Sequence, residues 1–278
     1  MSPQLLIAGH IVKDISADGW AAGGGALYAA AQASGLGLDT AVVTACERDI
    51  EPAGLVPGVQ WHVRRLDEAI RFQNVYTDGA RTQRVLSTAA PIRLQDVPTA
   101  WRQAPLMLLT PVFHDVDPSL PEALARPGTL LGLGAQGWLR RLDGERVLPG
   151  LIEPAPQWLH GDVVFLSEED IVDGEAVEAW RARVPAVVLT RGRSGYTVWD
   201  RLGRHDIAPV PACEKDPTGA GDVFATAYLL RYSETHDVLE SARFAAAAAA
   251  ISIEGAGITA VAERAQVEAR LSTTGVGC

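Results

Sequence analysis

The stretch Asp216-Pro217-Thr218-Gly219-Ala220-Gly221-Asp222 runs directly into the apolar segment Val223 to Leu230, so a glycine-rich loop turns into a helix near Asp222. Amides of Gly219, Ala220 and Gly221 at such a helix start converge on an anion, and the positive end of the helix dipole favours negative charge there. This cradle needs no lysine, which suits a chain with only Lys13 and Lys215 among its 24 basic residues. Asp222 at the same helix start is placed as a general base for a hydroxyl beside developing phosphoryl charge. An aspartate that merely caps the helix is the structural alternative.

Working outward, the chain alternates short apolar strands with helical or loop segments. Leu5 to Ile11, Thr40 to Thr44, Leu106 to Thr110, Thr129 to Leu133, Val163 to Leu166 and Ala186 to Thr190 read as buried strands. Ala26 to Gly35 and Arg243 to Ile253 read as alanine-rich helices. That rhythm predicts a mainly parallel sheet covered on both faces. Arg71 to Thr77 and Arg81 to Ser87 break it: two alternating runs joined at Asp78-Gly79 predict an antiparallel hairpin, either a lid or a surface and dimer element.

Length and composition narrow the function classes. A chain of 278 residues with 47% hydrophobic positions buries a substantial core, and a formal charge of −10 disfavours nucleic acid and anionic membranes as partners. The cysteines Cys46, Cys213 and Cys278 are odd in number and widely spaced, which predicts reduced thiols in a cytoplasmic protein and no zinc site. The six histidines show no metal-ligating spacing, and neither lysine ends a G-x-x-x-x-G-K loop. Gly132-Leu133-Gly134-Ala135-Gln136-Gly137 fits G-x-G-x-x-G, so a dinucleotide-dependent oxidoreductase is the competing reading. Asp143-Gly144 cuts the following helix short and argues against it.

The seven ordered positions 216 to 222 are similar to the signature of the ribokinase, or PfkB, family of sugar and nucleoside kinases. The resemblance covers nearly the whole chain. It implies a single three-layer ribokinase-like α/β domain over residues 1–278, with a central mainly parallel sheet and a small β lid from about 14–22 and 61–90. It further implies an ATP-dependent phosphotransferase acting on a hydroxyl of a small sugar, polyol or cyclitol, or nucleoside. ATP and Mg²⁺ are the implied cofactors, with a monovalent cation as an optional third, and the lid is the implied surface of a homodimer. A ribokinase-fold protein that binds ligand without catalysis is the alternative within the family.

Carried onto this chain, the resemblance assigns Asp222 as catalytic base and Gly219, Ala220 and Gly221 as the anion hole. Asp14 holds acceptor hydroxyls, with Gly24 and Gly25 allowing close approach. Tyr28 stands where the family usually has asparagine, and this resembles a branch that includes plant myo-inositol kinases. Asn74 and Arg84 of the hairpin reach the acceptor, as does Gln136 or Arg140 beyond the fourth strand. Thr190, Gly192, Gly195 and Thr218 contact the nucleotide. Ser167-Glu168-Glu169-Asp170 corresponds to the family's Asn-x-x-Glu motif, so Glu169 and Asp170 are the implied water-mediated magnesium ligands.

Overall fold

The structure, a computed structural model, describes residues 2–77, 80–173 and 175–272. The expected Asp78-Gly79 turn and Cys278 lie outside the described residues. Nine strands form the main sheet: β1 (Leu5–Ala8), β4 (Thr40–Glu47), β5 (Gln60–Leu66), β8 (Leu106–Leu109), β9 (Leu130–Gly134), β12 (Val163–Ser167), β13 (Ala186–Thr190), β14 (Tyr196–Trp199) and β15 (Arg204–Ile207). Their order is β15-β14-β13-β12-β9-β8-β1-β4-β5. Every pairing from β13 to β5 is parallel, while β14 and β15 are antiparallel additions at one edge.

Period-two alternation makes this sheet the middle of three layers. Leu5 and Ile7 of β1 point into one core with α1 (Gly25–Gly35), α5 (Ala220–Thr235) and α6 (Val238–Ser252). Leu6 and Ala8 point into a second core with α3 (Leu120–Leu124), Trp158 and Trp180. Phe165 meets Phe224 and Tyr228 edge to face in the first core, and full burial of such side chains contributes roughly 2 kcal/mol each. The alanines Ala245 to Ala248 are buried in α6, so α5 and α6 approach each other closely. Between those helices His236 takes a left-handed cap, and Asp237 accepts from the amides of Leu239 and Glu240 to start α6.

A second sheet sits beside the carboxyl ends of the main strands. Its order is β10 (Arg141–Asp143), β11 (Arg146–Leu148), β7 (Ala80–Ser87), β6 (Arg71–Thr77), β2 (Val12–Ser16), β3 (Gly19–Gly23). This lid differs from the sequence expectation in three ways. Trp61 to Leu66 run in β5, at the edge of the main sheet. Asp143 and Gly144 form a hairpin turn, so β10 and β11 extend the lid. The first strand ends at Ala8, and Val12 begins a lid strand instead.

The lid is fastened to the main sheet by buried charge. Glu47, the last residue of β4, accepts from Lys13 Nζ at 2.8 Å and from Arg71 Nε at 2.6 Å, joining β2 and β6 to β4. Lys13 also pairs with Asp49 at 2.6 Å and lies over the Trp20 ring. Among the described residues Cys46 is a buried free thiol. No helix among the described residues is long and apolar enough to cross a membrane.

The Arg71 guanidinium, helped by Lys13, holds the Glu47 carboxyl down at about 2 against an ordinary 4.5. A depressed carboxylate stabilises the fold above its unfolded value, and that contribution is lost as pH falls from 4.5 through about 2. Glu47→Gln is expected to cost about 3 kcal/mol at neutral pH and to flatten the loss over that acid window, read by denaturant unfolding. Wild-type stability in the variant would mean that the lid is anchored elsewhere.

Candidate active site

The site forms where the loops after β1, β8, β9, β12 and β13 meet the start of α5, at the carboxyl edge of a parallel sheet. Gly219 is the N-cap of α5 and takes a left-handed conformation (φ 76°, ψ 0°). Its carbonyl accepts from the amides of Asp222 and Val223, both at 3.0 Å. Asp216 holds the loop from both sides, accepting from Thr218 N at 3.0 Å and from Gly257 N at 3.2 Å. The Ala220 amide donates back to Pro217 O at 3.2 Å, so the expected three-amide cradle narrows to the flanking Gly219 and Gly221. Thr218 and Gly221 are exposed to the cleft.

Glycine makes the contact between α1 and α5 possible. A Cβ on Gly25 would stand 2.5 Å from Asp222 Oδ1 and 2.9 Å from Thr110 Cβ. A Cβ on Gly23 would stand 2.1 Å from Asp14 Oδ2, so the run Gly23 to Gly25 touches both carboxylates. Tyr28, one turn into α1, lies flat beneath Gly219, whose Cβ would come within 2.1 Å of the ring. Burial, together with the charges of Asp216, Asp14 and Asp222, raises the Tyr28 phenol, so it stays neutral.

Asp222 sits at the floor of this cleft, and desolvation is the main influence on it. Burial lifts its carboxyl to about 7; Arg140 opposes the rise and Asp170 adds to it. Asp170 is itself buried, with its side chain 5% exposed. Its Oδ2 accepts from Ser167 N at 3.0 Å and its Oδ1 from Gln136 Nε2 at 3.2 Å, closing a capping box over residues 167–170. Gln136 therefore meets the expected acidic motif. Glu169 is exposed, and each Asp170 oxygen accepts one internal hydrogen bond. Among the described residues no cluster of three metal-ligating side chains exists.

On the lid the register separates two residues that the sequence reading grouped. Asn74 stands opposite Gln83, and Gln83 Nε2 donates to Asn74 Oδ1 at 3.2 Å. Arg84 stands opposite Gln73 on the other face, 46% exposed and paired with Glu145. Arg84 thus turns away from the face shared by Phe72 and Asn74, and Gln83 takes its place. Thr190, Gly192 and Gly195 lie in the turn after β13. Thr190 Oγ1 donates to Leu166 O at 3.3 Å, Gly192 is exposed, and Gly195 is buried against Ile207 O. Arg193 of that turn pairs with Glu214 at 3.2 Å, bringing it to the loop that leads into α5.

The G-x-G-x-x-G run has a packing explanation. A Cβ on Gly132 would meet Leu229 at 2.7 Å and one on Gly137 would meet Pro111 at 2.4 Å, while α4 (Gln136–Leu139) is a single turn. No dinucleotide-binding helix follows. Residues that the sequence reading missed are Gln83, Thr110 and Asp115. Asp115 is buried and accepts from the amides of His10, Val112 and Phe113, tying the loop after β1 to the loop after β8. A lone buried aspartate carries no periodic signal; only its position in the loop that follows β8 marks it.

Comparison with known proteins places this arrangement. Residues 162–265, which include the Gly219 turn and Asp222, match the model of the pfkB family carbohydrate kinases. The chain belongs to the PfkB family. It is 32% identical over 206 residues to inositol 3-kinase of Oryza sativa subsp. japonica, a match covering 70% of this chain. The chain spans about half the length of that relative, 50% of which is matched. A pyrophosphate-dependent kinase in the ribokinase family, solved with a pyrophosphate analogue and myo-inositol, superposes with a TM-score of 0.81 at 23% identity, over 95% of this chain and 99% of the other. Arabidopsis thaliana ribokinase, solved with ribose and ATP, superposes with a TM-score of 0.74 at 21% identity over 99% and 100% of the two chains. The fold of this PfkB protein is therefore ribokinase-like.

Gly219→Ala is expected to cost about 2 kcal/mol or more in thermal unfolding, because its Cβ meets the Tyr28 ring at a positive φ. Gly221→Ala, where a Cβ meets nothing within 4 Å, should leave stability unchanged or slightly higher. Equal losses in both would mean that the Tyr28 contact does not set the turn.

Proposed function

We propose that this PfkB protein is a kinase that moves the γ-phosphoryl group of ATP, bound with Mg²⁺ as the donor substrate, onto a hydroxyl of a small polyhydroxylated acceptor. The observation that carries the reading is Asp222: a carboxylate held near 7 at the start of α5, against Gly25 and beside Gly219 and Gly221. A base poised near neutral pH is matched to taking a proton from an alcohol during transfer. The acceptor lies between Asp14, Gly24 to Gly25 and the inner lid face with Asn74. Its hydroxyl oxygen attacks the γ-phosphorus, Asp222 takes the hydroxyl proton, and the bond to the β–γ bridging oxygen breaks.

The amides of Gly219 and Gly221 and the dipole of α5 stabilise the charge on the transferring group. Thr218 and the Thr190 to Gly195 turn line the donor side. The exposed Glu169 carboxylate would be the group of this acidic turn available to a Mg²⁺ that accompanies the nucleotide, which would neutralise phosphate charge. Likeness to the rice relative and to the myo-inositol-bound neighbour supports a cyclitol or sugar as acceptor. Trp20, 47% exposed, and Leu86, 41% exposed, on the outer lid face support pairing of two copies through the lid.

The test is product release from purified protein with Mg·ATP, and in parallel Mg·pyrophosphate, across a panel of sugars, cyclitols and nucleosides. Acceptor-dependent turnover is expected, and Asp222→Asn should fold while losing ~10²-fold or more. A fully active Asp222→Asn variant would remove the base assignment. Nucleotide binding with no turnover on any acceptor would leave a ligand-binding protein.

A further inference from the structure

The inner face of the lid carries a polar pair of which the transfer reading uses only one member. Register fixes which side chains share that face. Asp14 of β2 stands opposite Phe72 of β6, and Phe72 stands opposite Val85 of β7. Val12, Phe72 and Val85 are buried against Val112 and Phe113 of the loop after β8, so this face looks onto the body of the protein. Two residues further along the hairpin, on the same face, Asn74 stands opposite Gln83. Gln83 is half-buried, and its Nε2 donates to Asn74 Oδ1 at 3.2 Å. An amide held by its nitrogen turns its oxygen aside, and Gln83 Oε1 accepts from no group among the described residues.

We propose that Gln83 is a specificity-determining residue of the lid: its Oε1, oriented by the bond to Asn74, accepts a hydrogen bond from one hydroxyl of a neutral polyol whose other hydroxyls lie against Asp14. The proposal deepens the kinase reading and rests on it for the place of the acceptor. Asp14 joins this face to the base, because a Cβ on Gly23 would stand 2.1 Å from Asp14 Oδ2 and one on Gly25 2.5 Å from Asp222 Oδ1. A carboxylate and an amide oxygen both accept, so together they read hydroxyl donors on the ligand. The cations Lys13, Arg71 and Arg84 are each taken up by a carboxylate, Glu47 for the first two and Glu145 for the third, so an anionic acceptor finds no partner in them. A ligand that lacks the contacted hydroxyl, or carries it as an ether, leaves Gln83 Oε1 unpaired under the lid and binds more weakly.

The experiment is calorimetric titration of the full chain, with kcat/KM in parallel, using D-ribose, D-fructose, myo-inositol and their monodeoxy and mono-O-methyl derivatives. Wild type is compared with Gln83→Leu, Gln83→Asn and Arg84→Leu. For a parent compound that binds, wild type should lose about 10-fold in affinity when the one contacted hydroxyl is removed or methylated. Gln83→Leu should lose a similar factor on the parent and show no further loss with that derivative, a coupling that a merely structural role would not produce. Gln83→Asn, which withdraws the same oxygen by one methylene, should lose part of the factor, and Arg84→Leu should keep the wild-type pattern of discrimination. A folded Gln83→Leu or Gln83→Asn protein that discriminates at every hydroxyl as wild type does overturns the proposal, as does a wild type that binds none of these polyols. Hydroxyl-dependent binding coupled to Gln83, with no transfer from Mg·ATP or Mg·pyrophosphate, overturns the kinase reading instead and leaves the Gln83 assignment standing.

Discussion

The close approach of Gly25 in α1 to Asp222 at the start of α5 organises the site. Asp222 stands at the positive end of α5 and within the field of Arg140, and both favour its charged form. Burial against Gly25 is the larger effect, and the group settles near 7 instead of at an ordinary carboxylate value. That balance requires the first glycine of α1 to touch the helix that begins more than 190 residues later. It also requires Tyr28 to lie under Gly219, because the left-handed turn over the ring aims the α5 amides into the cleft. The two parts of the site carried by α1 and α5 are thus locked at that contact.

Much of this was legible in the sequence where the signal is local. Gly219 followed by Ala220-Gly221-Asp222 reads as a helix start because a left-handed N-cap and an acidic first turn are short-range properties. The buried parallel strands were legible because residues covered on both faces form unbroken apolar runs. The lid was legible only in part. Asp143-Gly144 serves equally as a helix stop and as a hairpin turn, and what decides is pairing of Arg146 with Arg84, 62 positions away in the chain. Arg84 and Gln83 differ by one place and so by one face, and the irregularity between Arg71 and Phe72 shifts the register that sets which face is inward.

Asp170 illustrates a different limit. As the end of an acidic turn it reads as an open ligand, yet it closes its own capping box and takes the amide of Gln136, a residue on another strand end. A carboxylate used in this way keeps Gln136 in place. The two pairs Lys13–Glu47 and Arg71–Glu47 are likewise invisible to local pattern, since each joins strands of different sheets. Charged residues at strand ends were the hardest part of the chain to interpret, because their partners are fixed by topology.

The lid's six strands enter and leave the chain at three places, residues 12–23, 71–87 and 141–148. No single contiguous segment contains it, so it cannot be transplanted between homologues as a cassette or deleted with one cut. Its β2–β6 and β7–β11 pairings join segments that are distant in the chain, as Lys13 with Arg71 and Arg84 with Arg146. Change in what the lid recognises must therefore accumulate residue by residue on its inner face, leaving the strands themselves in place.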